Sequence, residues 1–356
     1  MLGCKWRRLF SWSRNQFIKL HPALLLSNAV RAHSHSPPTE AKPASAGWTA
    51  EMDHPMNARI YEQITERIIT LLSQGTVPWQ KPWIARTGLP RNLVSKKSYR
   101  GINVFLLLAM NYESPFWITF RQALHLGGAV RKGEKSCPVV FWKQTTTEDK
   151  ESGEQQKLLL ARYYHVFNVA QCDGLKINTE PEPESVSGIL LPDEIVAHMP
   201  QRPVIKHGMA RAFYSPREDC VGLPERERFA QAEGYYATLF HELVHATGHA
   251  SRLNRASITE RNGFGSDPYG KEELIAEMGA AFLCGQAELG ERTIENSASY
   301  LKGWLEQLRN DKTLIVQAAA QAQKAADFIL GNGPDEIAVE TSPVSTPPPE
   351  LAEACA

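Results

Sequence analysis

The stretch FHELVHATGH, Phe240–His249, constrains this chain more than any other. His241 and His245 are four residues apart, so on a helix both imidazoles lie on one face and can reach one cation. Glu242 lies beside them, where its carboxylate can act as general base on a water that the metal activates. The pattern predicts a metal site on a helix. Zinc is the expected ion, because imidazole and carboxylate ligands in an open three-ligand site suit it.

The third protein ligand is not fixed by the motif. On a continuing helix the Cβ of His249 would lie about 12 Å along the axis from that of His241, too far to share one ion. We therefore expect His249 to support a ligand or to face a substrate. Glu273 and Glu277 share a face of the next predicted helix, where one can bind the metal and the other can orient a histidine. Glu273 is the preferred ligand, the reverse assignment stays open, and with Glu272 these acids could instead form a solvated stripe.

The net charge of zero conceals three blocks of different charge. Residues 1–53 carry 7 Lys and Arg against 3 Asp and Glu, whereas residues 54–145 carry 13 against 4. Residues 146–356 carry 19 against 32. Such asymmetry suggests that the basic block meets a polyanion, although a solvated basic face would give the same count.

The basic block also contains several aromatic residues, a combination that is typical of proteins that stack the bases of single-stranded DNA and bind its phosphates. The stacking candidates, about half of which should be buried, are Trp79, Trp83, Tyr99, Trp117 and Trp142. The phosphate-binding candidates are Lys81, Arg91, Lys96, Lys97, Arg100, Arg131, Lys132 and Lys135. The last three lie in the turn GGAVRKGEK and have the better claim, because glycines let the backbone approach a phosphate.

The two ends of the chain and its cysteines bear on where the protein is located. Residues 1–47 begin with an Arg-rich, acid-poor amphipathic stretch and end in a Pro- and Ser-rich linker. This pattern favours a mitochondrial transit peptide over a secretory signal or a disordered basic tail, and the matrix over the cytoplasm. The six scattered cysteines form no C-x-x-C pair, which favours a reducing compartment. The apolar runs are too short to span a bilayer. Residues 333–356 are Pro-rich and acidic, so we expect a disordered tail.

Periodicity predicts a mixture of helices and strands. Helices are expected over residues 57–75, 103–110 and 117–128, with a short strand over 138–142. The polar segment 145–157 is expected to be a surface excursion or linker.

Several long stretches resemble the ArdC-type antirestriction proteins. IYEQITERIITLLSQGTVPWQKPW and LPRNLVSKKSYRGINVFLL resemble the N-terminal domain of that family, which also occurs in front of some plasmid primases. YYATLFHELVHATGHASRLNR and YGKEELIAEMGAAFLC resemble its zincin metallopeptidase domain. The resemblance covers about residues 54–330 and implies single-stranded DNA binding by the first domain. It also implies a metal site with His241, Glu242, His245 and a downstream glutamate.

Together these patterns predict an α+β protein of two domains. A small basic domain over residues 54–145, which can extend to about 175, binds single-stranded DNA. A zincin-like metallopeptidase domain follows over residues 176–330, with an unknown protein substrate among DNA-associated proteins or in organellar DNA maintenance. The alternative is a DNA-shielding or replication accessory protein whose metal site is structural.

Overall fold

The structure is a computed structural model that describes six stretches of the chain. They are residues 55–80, 88–148, 155–176, 191–259, 267–289 and 298–332, all within one structural unit. The targeting segment predicted at 1–47 and the tail predicted at 333–356 lie outside them. None of the helices in the described stretches combines the length and the apolar character that crossing a bilayer requires.

The first half of the described chain is a four-stranded sheet with three helices. The helices are α1 Pro55–Ser73, α2 Ile102–Leu108 and α3 Phe120–His125. The strands are β1 Arg91–Asn92, β2 Phe116–Thr119, β3 Ala129–Val130, β4 Cys137–Glu148, β5 Gln155–Asn168 and β6 Cys172–Asp173. The order in the sheet is β1-β2-β5-β4, with β1 parallel to β2 and the other pairs antiparallel, and β3 pairs with β6 as a separate ribbon.

The second half is mainly helical, as its apolar periodicity predicts. The helices are α4 Pro192–His198, α5 Ala232–Thr247, α6 Ala256–Thr259, α7 Asp267–Gln286, α8 Ala298–Asn310 and α9 Leu314–Ile329. The strands β7 Val204–Lys206, β8 Phe213–Ser215 and β9 Cys220–Gly222 form a small sheet in the order β7-β9-β8. The motif helix α5 packs against β8, β9, α7 and α9.

Two of the predicted elements differ in the structure. The helix predicted over 117–128 begins only at Phe120, because the aromatic and β-branched FWIT stretch is strand β2 and Thr119 then caps the helix by accepting the N–H of Gln122 at 3.2 Å. The segment 145–157, predicted to be a surface excursion or linker, is strand at both of its ends. Its β-branched threonines continue β4 beyond residue 145, and this extension pairs antiparallel with the start of β5.

The two halves share one hydrophobic core. The ring of Phe105 on α2 stacks on that of Phe282 on α7, with centroids 4.9 Å apart. Trp79 packs edge-on against Trp304 of α8 at 5.6 Å. These contacts join the basic half directly to the helices around the metal motif. The two halves therefore share a continuous core and are not separate domains joined only by a linker.

A buried ion pair strengthens this junction. Asp327 on α9 is 3% exposed and accepts hydrogen bonds from Arg100 and from Gln323 Nε2, while Gln323 Oε1 accepts the N–H of Gly101 at 3.0 Å. We expect Asp327→Ala to lower the free energy of unfolding by about 1–3 kcal/mol, because Arg100 and Gln323 lose their buried acceptor.

Urea unfolding followed by circular dichroism measures this loss. The matched control is Glu66→Ala, which removes an exposed ion pair between the same halves, that of Glu66 with Lys312. That loss should be below about 1 kcal/mol, because solvent screens exposed pairs. Equal losses in the two variants would show that the buried pair contributes nothing special to the junction.

Candidate metal centre

The motif helix α5 presents its two histidines at one end of a buried face. Phe240, Leu243 and Val244 are fully buried, which fixes the rotation of the helix about its axis. His241 and His245 then lie one turn apart, with their Nε2 atoms 3.1 Å apart. The helix ends at Thr247, where the N–H of Gly248 bonds to the carbonyl of His245.

A glycine allows α7 to approach α5 closely. A Cβ on Gly279 would lie 2.7 Å from Cγ2 of Val244, a distance that real Cβ atoms essentially never show. The absence of this side chain lets the two helices pack backbone against side chain. The approach brings the glutamates of α7 alongside the histidines of α5.

Glu273 completes the cluster. Its Oε2 lies 3.6 Å from Nε2 of His241, and its Oε1 lies 3.6 Å from Nε2 of His245. One ligand atom from each of the three residues lies within 4.8 Å of the others. Two imidazoles and one carboxylate converging in this way fit a zincin-type site with an open position for solvent or substrate. Of the two glutamates that the sequence left open as third ligand, the structure selects Glu273.

The neighbouring glutamates lie on the far sides of the imidazoles, Glu272 at hydrogen-bond distance and Glu277 slightly beyond it. Oε1 of Glu277 lies 3.7 Å from Nδ1 of His241, and Oε1 of Glu272 lies 3.3 Å from Nδ1 of His245. An acceptor at Nδ1 fixes the tautomer that leaves Nε2 free to bind a metal. Glu277 therefore has the supporting position predicted for the glutamate that is not the ligand.

Glu272 is a site residue that the sequence did not single out. Its side chain is 3% exposed and is not part of a solvated stripe. Arg255 donates to both of its carboxylate oxygens, at 2.6 and 3.1 Å, and Ser257 Oγ donates at 2.5 Å. Arg255 also donates to the carbonyl of Val244, so it joins the end of α5 to α7. The adjacent pair of glutamates was the only hint, and adjacent helical positions do not face the same way.

The charges around the cluster favour a cation. Burial lowers the pKa of His241, but the hydrogen bond of Glu273 and the charges of Glu277 and Glu242 outweigh it and raise that pKa to about 9. Burial raises the pKa of Glu272, but His245 and Arg255 reverse the effect and lower it to about 2. The same carboxylate charges that favour a proton on His241 would also attract a divalent ion to the cluster.

The other two residues of the motif have separate positions. Glu242 is 8% exposed and follows the ligand His241 directly, and its charge acts on that imidazole. His249 lies beyond the end of α5, where its Nδ1 accepts the N–H of Ser251 at 3.2 Å and bonds to the hydroxyl of the same residue at 2.8 Å. Within the described residues, His249 is not part of the metal cluster. Its contact with a substrate stays a prediction.

Three of the predicted stacking residues are buried, so those predictions are wrong. Trp79 has no exposed surface, and Trp117 and Tyr99 are 2% and 4% exposed. Trp79 fills the junction between the halves, and Tyr99 packs against Phe141, so their burial stabilises the core. Trp142 is half-buried against Tyr61.

The predicted phosphate contacts fall into two groups. Arg100 pairs with Asp327, and Arg131 pairs with Glu134 and Asp173, so protein carboxylates already engage both arginines. The exposed candidates are Lys96, Lys97, Lys132 and Lys135, and Arg91 is half-buried. Lys81 and Trp83 lie outside the described residues.

Comparisons with known proteins agree with this architecture. Residues 58–167 match the family model of the N-terminal domain of anti-restriction factor ArdC, and residues 193–321 match that of a zincin-like metallopeptidase. The metal-free crystal structure of the antirestriction ArdC protein from the R388 plasmid superposes with a TM-score of 0.63 at 39% identity. That match covers 77% of this chain and 97% of the ArdC chain. This chain belongs to the ArdC family.

The ArdC family assignment confirms the predicted mixed α+β fold with its two successive domains. The Mn(II)-bound structure of the R388 ArdC protein matches at 38% identity with a TM-score of 0.62. The uncharacterized protein y4eC of Sinorhizobium fredii is 36% identical over 284 residues, 76% of this chain and 91% of y4eC. DNA primase TraC of Escherichia coli is 36% identical over 313 residues, 82% of this chain. This ArdC-family chain spans only 29% of that primase.

Proposed function

We propose that this chain binds single-stranded DNA through its first half and hydrolyses peptide bonds of DNA-associated proteins at its metal centre. The observation that carries the proposal is the convergence of His241, His245 and Glu273 beside Glu242, within a zincin-like domain that shares its core with a basic one. Its location in the mitochondrial matrix stays a prediction from residues 1–47.

Zinc is the proposed ion, held by the Nε2 atoms of His241 and His245 and by the carboxylate of Glu273. The donor set supports zinc, although a relative in the ArdC family has been crystallised with Mn(II). When bound, such an ion supplies Lewis acidity, which makes water more acidic and stabilises negative charge on a substrate oxygen.

The remaining steps belong to side chains of this chain. Glu242 accepts the proton of the attacking water and later donates it to the departing amine nitrogen, as one group acting as base and then as acid. Glu272 and Glu277 hold the imidazoles in the orientation that points Nε2 into the site. Strand β8 lies at the edge of its three-stranded sheet and contacts α5, so an extended peptide that pairs with β8 would run past the motif helix.

The shared core also explains why the two activities occur in one chain. Because the halves pack through Phe105 and Phe282, a DNA strand bound to the first half is held at a fixed position relative to the metal site. Proteins on that strand then reach the site at a high effective concentration.

The test uses the zinc-loaded full chain and a labelled single-strand-binding protein, offered free or on an oligonucleotide. We expect new peptide fragments only with metal, more of them when DNA is present, and none after chelation. Mass spectrometry identifies the fragments. If DNA binding falls with salt as expected for phosphate contacts but no fragment forms, the chain shields DNA and the metal has a structural role.

A further inference from the structure

The exposed face of α3 carries large apolar side chains next to basic ones. Phe120 and Leu124 are each 51% exposed, although the small Ala123 between them is fully buried. A short helix at the surface usually does the opposite and turns its largest apolar residues inward. Exposed apolar clusters with a polar rim are typical of binding sites.

A neighbouring turn extends this surface. Residues 93–97 follow β1, and the turn exposes Val94 and Lys96. The ammonium of Lys96 lies over the ring of Phe116, 5.2 Å from its centroid, and the guanidinium of Arg91 lies 5.6 Å from the same ring. Phe116 is four residues before Phe120, at the start of the strand that leads into α3. We call the residues of this surface the α3 patch: Val94, Lys96, Phe116, Phe120, Arg121 and Leu124.

Side-chain amide hydrogen bonds connect the turn and the helix of the α3 patch. Asn92 Oδ1 accepts the N–H groups of Val94 and Ser95, which fixes the turn. Asn92 Nδ2 donates to Gln122 Oε1 at 3.1 Å, and this Gln122 belongs to the capping box of α3. The turn and the helix therefore form one preorganised surface, which lowers the entropic cost of binding a flexible ligand.

We propose that the α3 patch is the stacking platform of the single-stranded DNA site, with a base on Phe120 and phosphates on Lys96 and Arg121. This proposal rests on the DNA-binding function proposed above and locates it. Among the Phe, Trp and Tyr side chains whose burial the structure describes, Phe120 alone is exposed, and the aromatic residues that the sequence favoured are buried or half-buried where their burial is described.

The positive charge of the α3 patch favours the binding of nucleic acid over that of a protein partner. Within the turn 92–97 and helix α3, the charged residues are Lys96, Lys97 and Arg121, all of them basic and exposed. Aromatic rings beside a positive track are the features with which proteins bind single strands without reading sequence. Base faces can stack on Phe120, whereas an acidic peptide would leave its large apolar surface uncovered.

The first measurement is the affinity of the full chain for a labelled oligothymidylate, by fluorescence anisotropy. We expect Phe120→Ala to bind about 10-fold more weakly, since one base–aromatic stack contributes an affinity of that order. Phe120→Trp, which keeps a stacking ring, should bind as tightly as the wild type. The matched control is Val204→Ala, which changes an exposed apolar residue on β7 and should leave the affinity unchanged.

The second measurement is the salt dependence of the same binding. The double variant Lys96→Ser with Arg121→Ser should lower the slope of log affinity against log salt by about 1.4, because two phosphate contacts are removed at about 0.7 each. As a control for folding, the thermal unfolding midpoint and the metal content of each variant should equal those of the wild type.

The two hypotheses fail differently. If the wild type shows no salt-dependent binding, the proposed DNA function fails and the assignment of the α3 patch fails with it. If the wild type binds but Phe120→Ala keeps its affinity and the double variant keeps its slope, only the assignment is overturned. The patch would then be a docking surface for a protein.

Discussion

Glu242→Gln is expected to lower the rate of peptide hydrolysis by about 10²- to 10⁴-fold, the range that a positioned general base contributes. Glutamine has the same shape as glutamate but cannot take up a proton at neutral pH. The ligand atoms belong to His241, His245 and Glu273, so the metal content should not change. The rate at which the cleavage fragments form in the steady state measures the activity, and elemental analysis measures the metal content.

The matched control is Glu227→Gln, which neutralises an exposed glutamate in the loop before α5. It should cleave at the wild-type rate. A Glu242→Gln protein that keeps full activity would remove Glu242 from the mechanism. A protein that binds metal and DNA but never cleaves, with or without Glu242, would support the structural role of the metal.

The same Glu242→Gln variant can capture the natural substrate. A protein that binds at the metal site but cannot be cut should stay associated, and it should accumulate relative to the wild type. Cross-linking in cells followed by mass spectrometry would compare the two. Recovery of DNA-bound proteins with the variant alone supports the proposed substrate class, and equal recovery with the wild type contradicts it.

The metal helix could be predicted from the sequence, but the contacts that orient it could not. His241 and His245 follow from spacing alone, because four residues make one turn. The role of Glu272 depends on Arg255, which reaches it from beyond the end of α5. That contact is made by tertiary packing, and a periodic pattern within one helix carries no information about it.

The burial of the candidate DNA-binding aromatics also depends on tertiary packing that the sequence does not show. A tryptophan in a basic block suits stacking or burial equally well, and the sequence cannot show that the second half of the chain covers Trp79 with Trp304. The sequence predicts Phe120 within a longer helix over residues 117–128. Its exposure follows from the strand that occupies residues 116–119 and delays the start of α3.

Glu273→Ala is expected to lower the affinity for zinc by more than about 100-fold, because it removes one of three protein ligands. Glu272→Gln should lower it by about 10- to 100-fold, the usual effect of losing a group that orients a ligand histidine. Glutamine at 272 can still accept one hydrogen bond, but the charge that balances Arg255 is lost. Competition against a chromophoric chelator measures all the affinities on one scale.

Two further variants test whether Glu273 or Glu277 is the third metal ligand. Glu277→Ala removes the carboxylate 3.7 Å from Nδ1 of His241 and should resemble Glu272→Gln in its effect on affinity. Glu306→Ala, an exposed position on α8, is the control and should bind zinc as the wild type does. If Glu277→Ala lost more affinity than Glu273→Ala, the roles of the two glutamates would be reversed. The four carboxylates around His241 and His245 would then have to rearrange when the ion binds, with α7 shifting along α5 at the Gly279 contact.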